Sequence, residues 1–173
     1  MTEIKFTCSN KSCVSKKTLD FLKEVGDKIG IKALYITSTL RPPLAQATAM
    51  YENCVNKKFI NYLAAGDAVQ KRIIKGIDTG ESKQDTLKVA VSMIEDFAQK
   101  GKRVSKHCVS EEIYRQCNII DISYKSMPSI RKAMEFIEEC TNYKEIVKII
   151  QPLAPDVQKY DKSEPAIHLE IKQ

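Results

Sequence analysis

Read for the spacing of its apolar positions, the chain alternates between helical and extended segments. Leu19, Leu22, Val25 and Ile29 recur at helical intervals behind Ser15, and Gly30 stops the run, which predicts an amphipathic helix over about 15–29. The next segment, Ile31 to Ser38, is rich in β-branched and aromatic residues and predicts a strand, closed by Arg41-Pro42-Pro43. Pro43 suits the first turn of a following helix that runs to about Asn56. A helix is expected from about Phe59 to Ile74. After a turn at Asp78-Thr79-Gly80, a longer one opens at Ser82 and carries Leu87, Val91, Ile94 and Phe97 to a stop at Gly101. Ser82 with Asp85 three positions on has the form of a capping box.

Past Gly101 the pattern changes. Lys102 to Ser105 reads as a short extended piece, Ser110 to Cys117 as one or two helical turns, and Asn118 to Ser123 as a strand. Pro128 starts a helix through Ile130, Met134 and Ile137 to about Cys140, and Tyr143 to Ile150 is expected to form another. The stretch from Pro152 to Pro165 reads as a loop. In the closing run Ile167, Leu169 and Ile171 fall on one face of a strand and His168 and Glu170 on the other, so His168 points away from the apolar layer. The pattern predicts an α+β fold, with a small, mainly antiparallel sheet near Tyr35, Ile120 and Leu169 flanked by helices.

Composition refines this only at the edges. A length of 173 residues, 43% of them hydrophobic, is enough for one core, so a single domain over 1–173 is expected. The net charge of +6 is spread along the chain without a polybasic block. Such a diffuse field suits solubility first and anionic partners second, and nucleic acid is not the expected one. No stretch has the length and apolarity of a membrane span, and the first residues, Met1 to Phe6, lack the apolar core of a secretory leader. The expectation is a cytoplasmic product as synthesised, acting at a cell wall only after release. Six cysteines in a chain of this length are expected to be reduced thiols. Cys8 and Cys13 can be free thiols or a metal clip, and Cys108, next to His107, can compete as a soft ligand.

The chemistry worth following lies in the two histidines, the only ones present. His107 is followed by Asp121 on a predicted strand, and His168 lies on the last strand. Two imidazoles and a carboxylate are the donor set of a hydrolytic zinc site, which needs three protein ligands and one open position.

Three segments in fixed order carry a resemblance. Ile36-Thr37-Ser38-Thr39-Leu40-Arg41 resembles an "I-T-S-x-x-R" strand end. Ser105-Lys106-His107 with Ile119-Ile120-Asp121-Ile122-Ser123 resembles a split "S-x-H … A-x-D-I-S" motif, and Ile167-His168-Leu169-Glu170 resembles a terminal "W-x-H-x-E" strand. Together they are similar to the zinc D-Ala-D-Ala carboxypeptidase family of metallopeptidases, whose fold is shared with the L-alanyl-D-glutamate endopeptidases of phages and with the hedgehog signalling domain. The resemblance implies Zn2+ held by His107, Asp121 and His168, Arg41 beside the scissile carbonyl, and Ser38 and Ser105 lining the substrate site. It implies hydrolysis of peptidoglycan stem peptides. His107 and Asp121 stand fourteen positions apart, farther than in the family, so the short helix at Ser110 to Cys117 reads as an insertion. Pro165 occupies the family's position for the general base. Glu164 is therefore the expected base and Asp161 the fallback. Glu170 is a third candidate or else a hydrogen-bond partner of His168. The rival expectations are a catalytically silent structural or binding module of the same fold, and an anionic-polymer-binding protein.

Overall fold

The computed structural model describes residues 1–8, 10–58, 60, 62–153, 155–156, 159–162 and 164–173. Along the chain the elements are β1 (Glu3–Phe6), α1 (Lys16–Lys28), β2 (Ala33–Ser38), α2 (Pro43–Val55), α3 (Ala64–Asp78) and α4 (Lys83–Gln99). Then come α5 (Glu111–Gln116), β3 (Cys117–Ile122), α6 (Ile130–Thr141), β4 (Ile146–Gln151), β5 (Lys159–Tyr160) and β6 (Ile167–Lys172). They divide into two compact units, the first made of Met1–Leu40 with Glu111–Gln173 and the second of Arg41–Ser110.

The first unit is built on a six-stranded sheet in the order β1-β2-β3-β6-β4-β5. The three expected strands are its middle: β2 pairs antiparallel with β3, and β3 with β6. The sheet as a whole is mixed, which corrects the expectation of a mainly antiparallel one. β1 lies parallel to β2 because α1 forms the crossover between them, and β5 lies parallel to β4 at the other edge. The segment from Tyr143, expected as a helix, instead gives β4, antiparallel to β6. Ile146, Val147, Ile149 and Ile150 are all β-branched. Their stiff side chains suit a pleated surface, and the open edge of β6 decides between two periodicities that a short apolar run cannot separate. β1 and β5 were not legible as strands. Ala154, Val157, Gln158 and Ser163, in the stretch read as a loop, lie outside the described residues.

One face of this sheet is the core. Ile167, Leu169 and Ile171 of β6 join Ile120, Ile122 and Ile149 in a buried cluster with Phe21, Leu22 and Val25 of α1 and Ala133, Phe136 and Ile137 of α6. Both helices are capped by serine side chains, and α6 starts at Ile130 behind Ser129, not at the expected Pro128. Ser15 accepts from the Thr18 amide and Ser129 from the Lys132 amide, each supplying an acceptor to a first-turn N–H with no intrahelical partner. Gly30, at φ 74°, follows α1 and adopts the left-handed conformation that ends it.

The second unit is helical. α2, α3 and α4 enclose Ala47, Met50, Cys54, Val69, Ile73, Ala90 and Ile94, with Val104 from the segment after α4. Pro43 is the first residue of α2, and Ser82 caps α4 by accepting from the Asp85 amide, both as expected. Arg72 grips Glu81 through two parallel bonds of 2.8 and 2.9 Å, tying α3 to the turn before α4. α3 begins at Ala64, later than expected; Phe59 and Asn61 lie outside the described residues. Residues 102–105, expected as extended, form neither helix nor strand. No helix among the described residues is long and apolar enough to cross a membrane.

Candidate metal centre

In the sheet unit the register places the chemistry. Asp121 on β3 stands directly opposite His168 on β6, and Lys148 on β4 directly opposite Glu170. Residues so paired point to the same side of a sheet, here the face opposite the apolar core. The His168 imidazole is 1% exposed, with its Nδ1 2.9 Å from Asp121 Oδ1. Its Nε2 lies 3.5 Å from Glu170 Oε1. Lys148 Nζ approaches the same Glu170 oxygen at 3.4 Å. His168 above all, and Lys148 after it, pull the Glu170 carboxyl down to about 2 against the opposing effect of burial.

Ser38 reaches this face through an irregularity. Between Ile36, opposite Ile122, and Ser38, opposite Asp121, β2 advances two residues while β3 advances one. Thr37 is the extra residue of a bulge, and the bulge re-aims Ser38 to the side of Asp121.

In the helical unit, Arg41, Ser105 and His107 belong to one polar cluster. The Arg41 amide donates to the His107 carbonyl at 3.0 Å, and its guanidinium to Gln46 Oε1 at 3.3 Å. Ser105 Oγ donates to the same Gln46 oxygen at 2.9 Å and accepts from the Cys108 amide at 3.2 Å. Gln46 is wholly buried and His107 is 6% exposed. Residues 102–108 thus gain through side chains the definition that a strand would have given through its backbone. Gly66 of α3 allows a close approach here, since a Cβ at that position would collide with the Val104 carbonyl oxygen and lie 2.5 Å from Tyr62 Cβ. The Cys108 thiol is pushed up by burial, with Arg41 opposing.

Glu164 and Asp161, the candidate bases, lie on the segment leading into β6, where the Glu164 amide donates to the Asp161 carbonyl at 3.0 Å. Both are partly exposed. Asp121, His168 and Ser38 therefore share a face in one unit, and Arg41, Ser105 and His107 share a cluster in the other. Two contributors were missed in the sequence. Lys148 was hidden by the helical reading of β4. Gln46 had a signal, a polar side chain in line with Met50 and Cys54 at helical spacing on a core stripe.

Asp121 and His168 offer a carboxylate and an imidazole, donors that suit a divalent metal ion. Two ligands about 2.0–2.1 Å from a tetrahedral centre stand about 3.3 Å apart. The 2.9 Å between Asp121 Oδ1 and His168 Nδ1 needs only a small opening to match. No family model, no curated protein and no solved structure matches this chain.

Proposed function

We propose that the protein is a zinc-dependent peptidase acting on peptidoglycan stem peptides, of the D-Ala-D-Ala carboxypeptidase or L-Ala-D-Glu endopeptidase kind, on a hedgehog-like variant of the α+β fold. In this reading His107, Asp121 and His168 would hold the ion, each offering one ligand atom. The observation that carries the reading is the pair of half-buried Asp121 and buried His168, held in register on neighbouring strands with a further carboxylate at the second ring nitrogen. That arrangement of carboxylate, histidine and ion is the usual one around zinc.

A bound Zn2+ would supply Lewis acidity and a water of lowered pKa. The chain's own groups do the rest. Glu164 accepts a proton from the water that adds to the scissile carbonyl and returns it to the leaving nitrogen as the C–N bond breaks, Arg41 steadies the negative charge that develops on the carbonyl oxygen, and Ser38 and Ser105 hydrogen-bond the peptide. Pro165, standing where the resembled family has its acid, favours a second reading in which the domain binds metal and peptide without cleaving.

Zinc-loaded protein offered stem peptides that end in D-Ala-D-Ala or contain the L-Ala-D-Glu bond, followed by mass spectrometry, separates the two. Cleavage of one peptide, abolished by a chelator and slowed about 100-fold or more in Glu164→Gln, is the expected result. Zinc-loaded protein that leaves both peptides intact contradicts the peptidase and supports the silent module.

A further inference from the structure

An imidazole can present either nitrogen to a metal ion, and something must choose. When the second N–H is held by a carboxylate the choice is made, because the proton is fixed there and the ring cannot turn over. On the metal-facing side of the sheet unit, Glu170 is placed to make it. It lies two residues after His168 on β6, so strand geometry alone puts both side chains on one face. Its Oε1 is 3.5 Å from His168 Nε2, while Nδ1 is taken up with Asp121 at 2.9 Å. Lys148, directly opposite on β4, holds the same Oε1 at 3.4 Å.

Resting on the metal-binding reading above, we propose that Glu170 is the positioning residue of the centre. Its carboxylate accepts the Nε2–H of His168 so that Nδ1 becomes the ligand, and Lys148 fixes the carboxylate. Glu170 is thereby engaged on both sides, which removes it from the candidates for general base and leaves that role to Glu164 or Asp161. The order of pairing is built into the sheet. β3 supplies the second ligand, β6 the histidine and its orienting carboxylate, and β4 the cation that keeps the carboxylate still.

The test uses the full chain, with Zn2+ affinity measured by chelator competition and the His168 ring observed by 15N NMR after loading with 113Cd2+. Wild type is expected to show metal coupling to Nδ1 and a slowly exchanging Nε2–H. Glu170→Ala weakens Zn2+ about 10–100-fold and exposes the Nε2–H to exchange. Glu170→Gln, whose amide oxygen still accepts, restores the protected Nε2–H. Lys148→Met, which leaves the carboxylate in place, weakens Zn2+ about two- to fivefold and speeds the same exchange. Lys148→Met also carries the test should Glu170→Ala fail to fold. Affinity and Nε2–H exchange unchanged in the folded variants, while His168→Ala abolishes binding, would overturn the role of Glu170 and leave the metal centre standing. Wild type that binds no Zn2+ would remove both.

Discussion

The proposed ligands are held by two different kinds of structure. Asp121 and His168 sit on paired strands whose other faces are anchored by Ile120, Ile122, Ile167, Leu169 and Ile171, so slipping the register by one residue would drive His168 into the apolar layer and the isoleucines out of it. His107 sits on a segment with neither helix nor strand, positioned by the Arg41 amide at its carbonyl and by the contacts of Ser105 with Gln46 and Cys108. Backbone ladders backed by a core define the first pair. A handful of side-chain hydrogen bonds and one close helix approach define the second. The histidine on the irregular segment should therefore be the more easily disturbed of the two.

Three measurements sharpen or break that contrast. The largest effect is expected in the sheet unit, where Ile120→Ala deletes a fully buried side chain next to Asp121. Denaturant unfolding should show a loss of about 2–5 kcal/mol, with the His168 ring signals little changed because the ladder still fixes the register. Signals that shift as far as in a His168 variant would contradict a register-held pair. In the helical unit, Gly66→Ala should destabilise by about 1–3 kcal/mol, although alanine is the better helix former by about 1 kcal/mol. The sign is set by the collision with the Val104 carbonyl. Amide shifts of residues 102–108 should move most, and a stabilised protein would show that the approach of α3 to Val104 is not what places His107.

The smallest effect is a pH dependence. Because Glu170 is held near 2 when folded and titrates near its ordinary 4.5 when unfolded, its contribution is complete above about 4.5 and is lost as pH falls toward about 2. By about pH 3.5 the loss is on the order of 1 kcal/mol, and Glu170→Gln should flatten that part of the stability curve. An unchanged curve would mean that the carboxylate is not held by His168 and Lys148.

The same contrast explains what the sequence revealed. His168 was legible because strict alternation in Ile167 to Ile171 assigns faces without any partner strand, and Ser15, Ser82 and Pro43 marked helix starts because capping is a local interaction. Lys148 was not, because whether Ile146 to Gln151 is helix or strand depends on β6, which lies far along the chain. Parallel pairing of β1 was hidden for the same reason: four residues carry little periodicity, and only the crossover through α1 makes them an edge strand. The pairing of Ser38 with Asp121 depends on a bulge, a feature of two strands together that neither announces alone.

The most direct test of the proposed metal centre is the zinc content of purified wild type, His107→Ala and His168→Ala, each confirmed to be folded and dialysed against the same trace of Zn2+. About one equivalent in wild type, and a loss in both variants that lowers affinity 100-fold or more, is the predicted result. Equal zinc in all three proteins would contradict it.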